Sequence, residues 1–374
     1  AQGNPNSFLH ITKSEIDLPE NIDIHSKEVY EKAKDNLQAF IKREILFREN
    51  KECFYIYRLT LNNHSQTGLI AVSSIDDYEN NIIKKHELTR PDKELDRINH
   101  IKTTGAQTGN VFMAYRNNDV IDNIVEKWTT IKTAVYNFVA DDNVSHTLWI
   151  VNDDKIIKQI INIFSAEISS TYIADGHHRA ASAAKVRQQL TDKKNDAADY
   201  FLTTLFPANQ LQIIDYNRII KTMHGLSAES FIEELKNDFN IEEKSSAYRP
   251  EALHTFGLYL EGKWYKLTAK PHTFLNNELG VLDISILQNN ILSKHLEIYD
   301  QRTDKNIDFV GGIRGLQELE NRVNSGEFVM AFSLFPVSIQ QLFAIADSNN
   351  VMPPKSTWFE PKLRDGLVTH FICE

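Results

Sequence analysis

The chain has little cysteine, no excess of basic charge and no long apolar run, and each shortage removes a class of function. Among its 374 residues only two are cysteines, Cys53 and Cys373, so a disulfide framework and a Cys-x-x-Cys metal site are both excluded and a reducing compartment fits. Lys and Arg number 41 against 51 Asp and Glu, a net charge of −10. That balance repels nucleic acid and anionic membrane unless a strong local basic patch intervenes, while a small anionic substrate stays allowed. No segment approaches the roughly 20 apolar residues needed to span a bilayer. Signature motifs are missing too: His86-Glu87 runs into Leu88-Thr89-Arg90 and not into a second histidine, and there is neither a Gly-x-Ser-x-Gly elbow nor a kinase-type catalytic loop. Internal repeats and low-complexity stretches are absent. The expectation is a globular, cytoplasmic protein without a membrane partner. The opening Ala1-Gln2-Gly3, with no Met and no charged-then-apolar segment, predicts a trimmed or processed start.

What is present is enough chain for two domains, or for one α/β core with a large appended unit. Helical spacing runs from Ser26 to Asn50, through Val29, Ala33, Leu37, Phe40 and Ile41. Two apolar runs, Cys53 to Leu61 and Gly68 to Ser73, flank polar residues 62–66 and predict a hairpin. Strands are expected at Val111 to Tyr115, His146 to Val151 and Thr171 to Ile173, with helices at Val120 to Ile131, Lys155 to Ile168 and Ala180 to Leu190. Phe201 to Phe206 and Leu211 to Ile214 predict a second hairpin around Pro207. Beyond a soft boundary near Ser227 come a helix at Glu229 to Phe239, a polar linker Glu242 to Pro250, and strands Thr255 to Leu260 and Lys263 to Leu267. Helices at Ile284 to Leu296, Leu316 to Val323 and Ser338 to Asp347 follow, with strands Val329 to Leu334 and Leu367 to Phe371. Hairpins mixed with helix-strand alternation predict a mixed α/β sheet, divided as residues 1–226 and an additional C-terminal α/β part, 227–374.

The strongest local signal is Asp175-Gly176-His177-His178-Arg179, set between the β-branched and aromatic Thr171-Tyr172-Ile173 and an alanine-rich helical stretch. A strand-to-helix turn presents the first N–H groups of the helix, equivalent to roughly half a positive charge, which favours phosphate or carboxylate. Arg179 adds a permanent cation and Gly176 allows close backbone approach. The two imidazoles can donate or relay protons near neutral pH, and Asp175 can act as base or metal ligand. An ordinary Asp-Gly helix cap is the plain alternative, but four ionisable or imidazole residues in five argue against it.

Three further segments carry chemistry-bearing residues. Lys84 to Arg97 packs charges around Pro91, and Glu87, flanked by His86 and two lysines, is a general-base candidate. The same stretch also reads as a solvated helix start, with Thr89 as cap, Pro91 in the first turn and Asp92 and Glu94 favouring the dipole. Ile307 to Gly315 runs a strand into glycines beside Arg314 and suits an anion-binding nest or a plain tight turn. Pro353 to Lys362 displays hydroxyls and cations, Lys355 and Ser356 among them, on a proline-stiffened loop, suited to an oxyanion or to nothing beyond a rigid surface.

Asn4-Pro5-Asn6-Ser7-Phe8-Leu9-His10, Lys84 to Lys93, Ala174 to Arg179, Ile307 to Gly315 and Met352 to Lys362 together resemble, almost end to end, the large prokaryotic domain-of-unknown-function family 1015. That family is similar to the free serine kinases of the ParB/sulfiredoxin-like superfamily, whose Asp-Gly-His-His-Arg turn binds nucleotide phosphates and in which a glutamate after a histidine acts on the serine hydroxyl. Members of the family also carry a segment ahead of the Asn-Pro-x-Ser-Phe-Leu-His motif that this sequence does not include.

The resemblance implies a ParB/sulfiredoxin-like core and phosphoryl transfer between ADP or ATP, with Mg²⁺, and free L-serine or O-phosphoserine. Glu87, Asp175 and His178 are then catalytic, with Asp175 also the metal ligand. Gly176, His177, Arg179, Arg314, Lys355 and Ser356 are expected to bind phosphate or nucleotide, and His86, Thr89 and Arg90 the substrate. A phosphoserine phosphatase using water as acceptor is the alternative with the same site, and a nucleotide-binding ParB-like regulator the alternative of another class. Neither a membrane nor, with this charge, nucleic acid is an expected partner; self-association is left open.

Overall fold

In a computed structural model, residues 1, 3–190 and 196–373 are described. The chain divides into two compact units, one of Ala1–Leu211 with Pro361–Glu374 and one of Gln212–Glu360. The change of unit thus comes ahead of Ser227, and the last residues return to the first unit. Both features depend on pairings distant in sequence. Tyr216–Ile220 joins Ile307–Gly311 and Met330–Leu334 in the second unit, while His370–Phe371 pairs with Ala106–Gln107 in the first.

The first unit is built on an eight-stranded mixed sheet. In spatial order its strands are Ile83–Lys84, Thr171–Asp175, Val111–Tyr115, Tyr200–Pro207, His64–Ser74, Phe54–Leu61, Ser145–Val151 and Tyr136–Val139. Ile83–Lys84 runs parallel to Thr171–Asp175 and Val111–Tyr115 parallel to Tyr200–Pro207, the other neighbours being antiparallel. Helices Asp119–Ile131 and Asp154–Glu167 pack Ile121, Ile124, Trp128, Ile160 and Ile163 into a core with Met113, Trp149 and Ile173. Each starts where a side chain accepts the first N–H groups, Asn118 from Val120 and Ile121, Asp153 from Lys155 and Ile156. The first hairpin closes more tightly than expected: Leu61 pairs with His64, because Asn62 takes the left-handed conformation at φ 54° that asparagine tolerates.

The second unit carries a six-stranded antiparallel sheet in the order Phe239–Lys244, Lys263–Ala269, Thr255–Leu260, Met330–Leu334, Tyr216–Ile220, Ile307–Gly311. The mixed α/β architecture with an additional C-terminal α/β part is therefore observed. Three local expectations are corrected. The hairpin around Pro207 does not form, because a 3-10 turn at Ala208–Gln210 redirects the chain and Gln212–Ile214 pairs with Trp358–Glu360. Part of the polar linker Glu242 to Pro250 is strand: Phe239–Lys244 is an edge strand in which Asn240, Glu242 and Glu243 are exposed, a charged pattern that also protects an edge. The helix expected at Ile284 to Leu296 is broken by a π turn at Gln288–Leu292.

Gly68, in the strand His64–Ser74, leaves no room for a side chain: a Cβ there would lie 2.6 Å from the Leu205 carbonyl oxygen and within 3 Å of the Phe206 ring. Gly68→Ala is expected to destabilise the first unit by about 1–3 kcal/mol, the usual cost of overpacking. Urea unfolding checks it, and an unchanged midpoint would contradict the close approach.

Candidate functional site

Two pieces of local geometry assemble the site. The first is the parallel pairing of Ile83 with Thr171 and Lys84 with Tyr172. Parallel neighbours end on the same side of a sheet, so His86-Glu87 and Asp175-Gly176 leave their strands side by side, at the carboxyl ends where α/β sheets commonly bind ligands. The second is a bulge. Phe112 pairs with Asp175 and Met113 with Ile173, so Ala174 is the extra residue, and such a bulge re-aims the side chains beside it.

Helix His177–Gln189 begins immediately after, earlier than the expected Ala180, with Gly176 at φ 102° as its cap residue. A Cβ on Gly176 would fall 2.9 Å from Arg179 Nε, so glycine here serves both the left-handed backbone and the arginine folded over it. Ala180, Ala181, Ser182, Ala183 and Ala184 are all buried, which lets the helix lie close between the sheet and helix Pro91–Thr104. Ser182 donates to the Glu94 carbonyl and Lys185 to the Glu94 carboxylate, joining the two helices.

Asp175 is held by two cations. Lys362 Nζ lies 3.1 Å from its Oδ2 and Arg179 Nη2 3.9 Å from its Oδ1. Burial pushes this carboxyl up, but Lys362 and Arg179 together outweigh burial and bring it down to about 2. Arg179 Nη1 also donates to the Asn110 carbonyl, and Asn110, itself buried, donates to Thr204 at 3.0 Å. Near Arg179, the Asp365 carboxyl is pushed up by burial, against the pull of Arg179 and Arg97.

The imidazoles are oriented by backbone. The His86 N–H donates to His177 Nε2 at 3.4 Å and the Arg90 N–H to His178 Nε2 at 3.0 Å, which places the ring proton of each histidine on Nδ1. His177 Nδ1 then faces Glu87 Oε2 at 3.8 Å. The His86 and His177 rings meet edge to face with centroids 4.5 Å apart. Burial drives both imidazoles toward the neutral form, His86 down to about 4 and His177 well below its ordinary value, the latter also repelled by His86, His178 and Arg179.

Of the residues singled out in the sequence, Asp175, Gly176, His177, His178, Arg179, His86, Glu87 and Arg90 stand together. Arg90 contributes its backbone N–H, since its guanidinium pairs with Asp92 at 2.9 Å. Thr89 bonds to the Glu94 carboxylate, and Arg90 occupies the cap position of helix Pro91–Thr104 without a side-chain cap bond. Arg314, Lys355 and Ser356 belong to the second unit. There Arg314 lies 3.6 Å from Glu318, the carbonyl of Lys355 accepts from Arg218, and Ser356 donates to the Pro353 carbonyl. Sequence reasoning passed over Asp365 and Asn110, and took Lys362 only as a cation of the Pro353 to Lys362 loop, not as a partner of Asp175. Lys362 ends a segment already noted for its cations, which was the one available signal.

The fold and the site define a mixed α/β protein with cations and neutral imidazoles around a strand-to-helix turn. The chain belongs to the family described as "Protein of unknown function (DUF1015)", which matches residues 1–285. No curated protein matches it. Among solved structures it is similar to a free serine kinase variant in complex with AMP, at 13% identity, a TM-score of 0.41 and coverage of 78% of this chain and 86% of that one. It is also similar to a conserved hypothetical protein from Pyrococcus furiosus, at 15% identity and TM-score 0.40 over 79% and 93%. A third is SbnI with a C-terminal truncation from Staphylococcus aureus, at 11% and 0.35 over 78% and 82%. No helix among the described residues is long and apolar enough to cross a membrane.

The buried neutral histidines make acid stability a test of the site. Unfolded, each would take up a proton near pH 6.5; folded, His86 resists to about 4. A depressed histidine contributes stability that is complete above the unfolded value and declines as pH falls from there through the folded one. Stability is therefore expected to drop between pH 6.5 and 4 by about 1.4 kcal/mol per pH unit for each such group. His86→Gln should flatten that slope, as read from urea midpoints across the range; an equal slope in the variant would remove His86 from this role.

Proposed function

We propose that this site performs nucleotide-dependent phosphoryl transfer involving the hydroxyl of a small amino acid, free L-serine with ADP or ATP, or the reverse from O-phosphoserine. The observation that carries the reading is the convergence of Arg179 and Lys362 on the turn at the start of helix His177–Gln189, beside the His86-Glu87 pair. Phosphoryl transfer consists mostly of positioning and charge neutralisation, for which guanidinium, ammonium and helix N–H groups are suited.

In this reading Arg179 and the N–H groups of the turn, with His177 alongside, hold the phosphoryl oxygens. Glu87, its side chain 37% exposed, takes the proton of the incoming hydroxyl, and His178, whose Nε2 accepts from the Arg90 N–H, donates from Nδ1. Asp175 keeps Arg179 and Lys362 aimed at one place. A lone carboxylate between two cations does not make a protein-only Mg²⁺ site. It fits Mg²⁺ that arrives on the nucleotide, where phosphate oxygens provide most ligands and the ion supplies charge neutralisation.

Glu87→Gln and Asp175→Asn are each expected to lower turnover by at least about a hundredfold, at the low end of what general-base removal costs, while remaining folded. Phosphorus NMR with Mg²⁺ reads this directly, on O-phosphoserine alone, with AMP or ADP, and on serine with ADP or ATP. Phosphoserine made or consumed only with nucleotide supports the transferase; phosphate released without nucleotide would replace it by a phosphatase, and silence in every tube would overturn the enzymatic reading. Lys362→Met, which removes one charged hydrogen-bond donor worth about 1.5–3 kcal/mol, should weaken nucleotide binding by ten- to a hundredfold in calorimetry.

A further inference from the structure

His86, Glu87 and His177 do more than adjoin the phosphate-binding turn. Among the described residues they form the one group of three potential metal-ligating side chains whose donor atoms all lie within 4.8 Å of one another. His86 is 2% exposed, and neither of its ring nitrogens makes a full hydrogen bond, the Ile173 backbone being the one group that acts on the ring in that way. A buried imidazole so weakly satisfied is uncommon, because an unmet polar atom away from water is costly. His177 is 4% exposed and Glu87 more open, so the cluster has a closed side of nitrogen donors and an accessible side of oxygen.

We propose that His86, Glu87 and His177 bind one divalent transition-metal ion of the zinc type, with a coordination position left open toward the exposed side of Glu87. Two neutral imidazoles and one carboxylate make a donor set that suits zinc, iron or manganese better than magnesium, which demands oxygen. Three protein ligands rather than four are the pattern of sites that keep a position for water or substrate. A tetrahedral ion bound at about 2.0–2.2 Å needs donors about 3.3–3.5 Å apart, so from separations of up to 4.8 Å the cluster has to contract by up to about 1.5 Å, which rotation of the Glu87 side chain supplies in part. Binding through His177 Nδ1 moves the ring proton to Nε2 and gives up the long contact from the His86 N–H, the weakest hydrogen bond in the group at 3.4 Å. With one Glu87 oxygen on the ion, the other remains for a hydroxyl proton. The assignment rests on this geometry alone and stands or falls apart from phosphoryl transfer.

The test is direct metal binding by the full chain. Protein stripped with chelator is titrated with Zn²⁺ against a chromophoric competitor and, separately, with Co²⁺, whose visible absorption reports coordination number and nitrogen ligands. The expected result is one equivalent per chain with a low-coordinate Co²⁺ spectrum. Glu87→Gln, at the exposed ligand and so with little effect on folding, should weaken binding at least tenfold and alter the spectrum. His178→Asn, outside the cluster, should retain binding. Absence of stoichiometric binding by the unmodified chain would overturn the assignment, and so would equal affinity in Glu87→Gln. His86→Ala, which opens a buried cavity, is informative only alongside a thermal melt; Glu87→Gln carries the decision.

Discussion

The ion pairs of Asp175 are the interaction on which the candidate site of the first unit depends. A half-buried carboxylate at the end of a sheet needs compensating charge, and its two cations come from very different parts of the chain. Arg179 lies four residues on, inside the first turn of the helix, while Lys362 belongs to the segment Pro361–Glu374 that returns after the second unit. At this partial exposure solvent screens the pairs, so they fix the direction of the side chains more than they add to stability. The segment that returns to the first unit thus supplies one of the two cations at the turn. The segment is anchored beyond Lys362 as well, with Phe371 paired to Ala106 and Ile372 buried against Ile98, Ile101 and Val186.

A second constraint acts on the imidazoles. Histidines left in water near neutral pH would be partly charged and freely rotating. Here burial holds His86 and His177 neutral, and backbone N–H groups of the neighbouring loop set the tautomers of His177 and His178. Neutral, oriented imidazoles can donate from a known nitrogen or accept a metal, and do neither as diffuse positive charge. The loop that provides those N–H groups is placed by only two parallel residue pairs, Ile83 with Thr171 and Lys84 with Tyr172. That short ladder suffices because Ile83 is buried in the core and Glu94, further along, is tied to Ser182 and Lys185 of the other helix.

Much of this was legible in the sequence wherever the signal is local. The strand, turn and helix around Asp175 follow from β-branched residues, a glycine and a run of alanines, and helices 119–131 and 154–167 follow from apolar spacing and a capping Asn or Asp. Signals fail where partners are distant or where exposure mimics a loop. Charged residues of the edge strand Phe239–Lys244 read as linker because one face of that strand meets solvent. The second hairpin fails because Gln212–Ile214 finds its partner at Trp358–Glu360, far along the chain. The pairing of Lys362 with Asp175 escaped for the same reason, although the lysine itself was noted as a loop cation.

The charges at the site also limit how it can work. Asp175 and Glu87 carry one negative charge each, Arg179 and Lys362 one positive charge each, and Arg90 is balanced by Asp92. With His86 and His177 neutral, these four charges cancel, inside a chain whose total is −10. A phosphate group brings roughly two negative charges at neutral pH, and a nucleotide brings more. Such a ligand must either arrive with its own cation or draw Arg179 and Lys362 away from Asp175, and an unpaired Asp175 in partial burial would then favour a proton or a metal ion. In the proposed reaction, bound phosphate and Asp175 would thereby compete for the same two cations, Arg179 and Lys362.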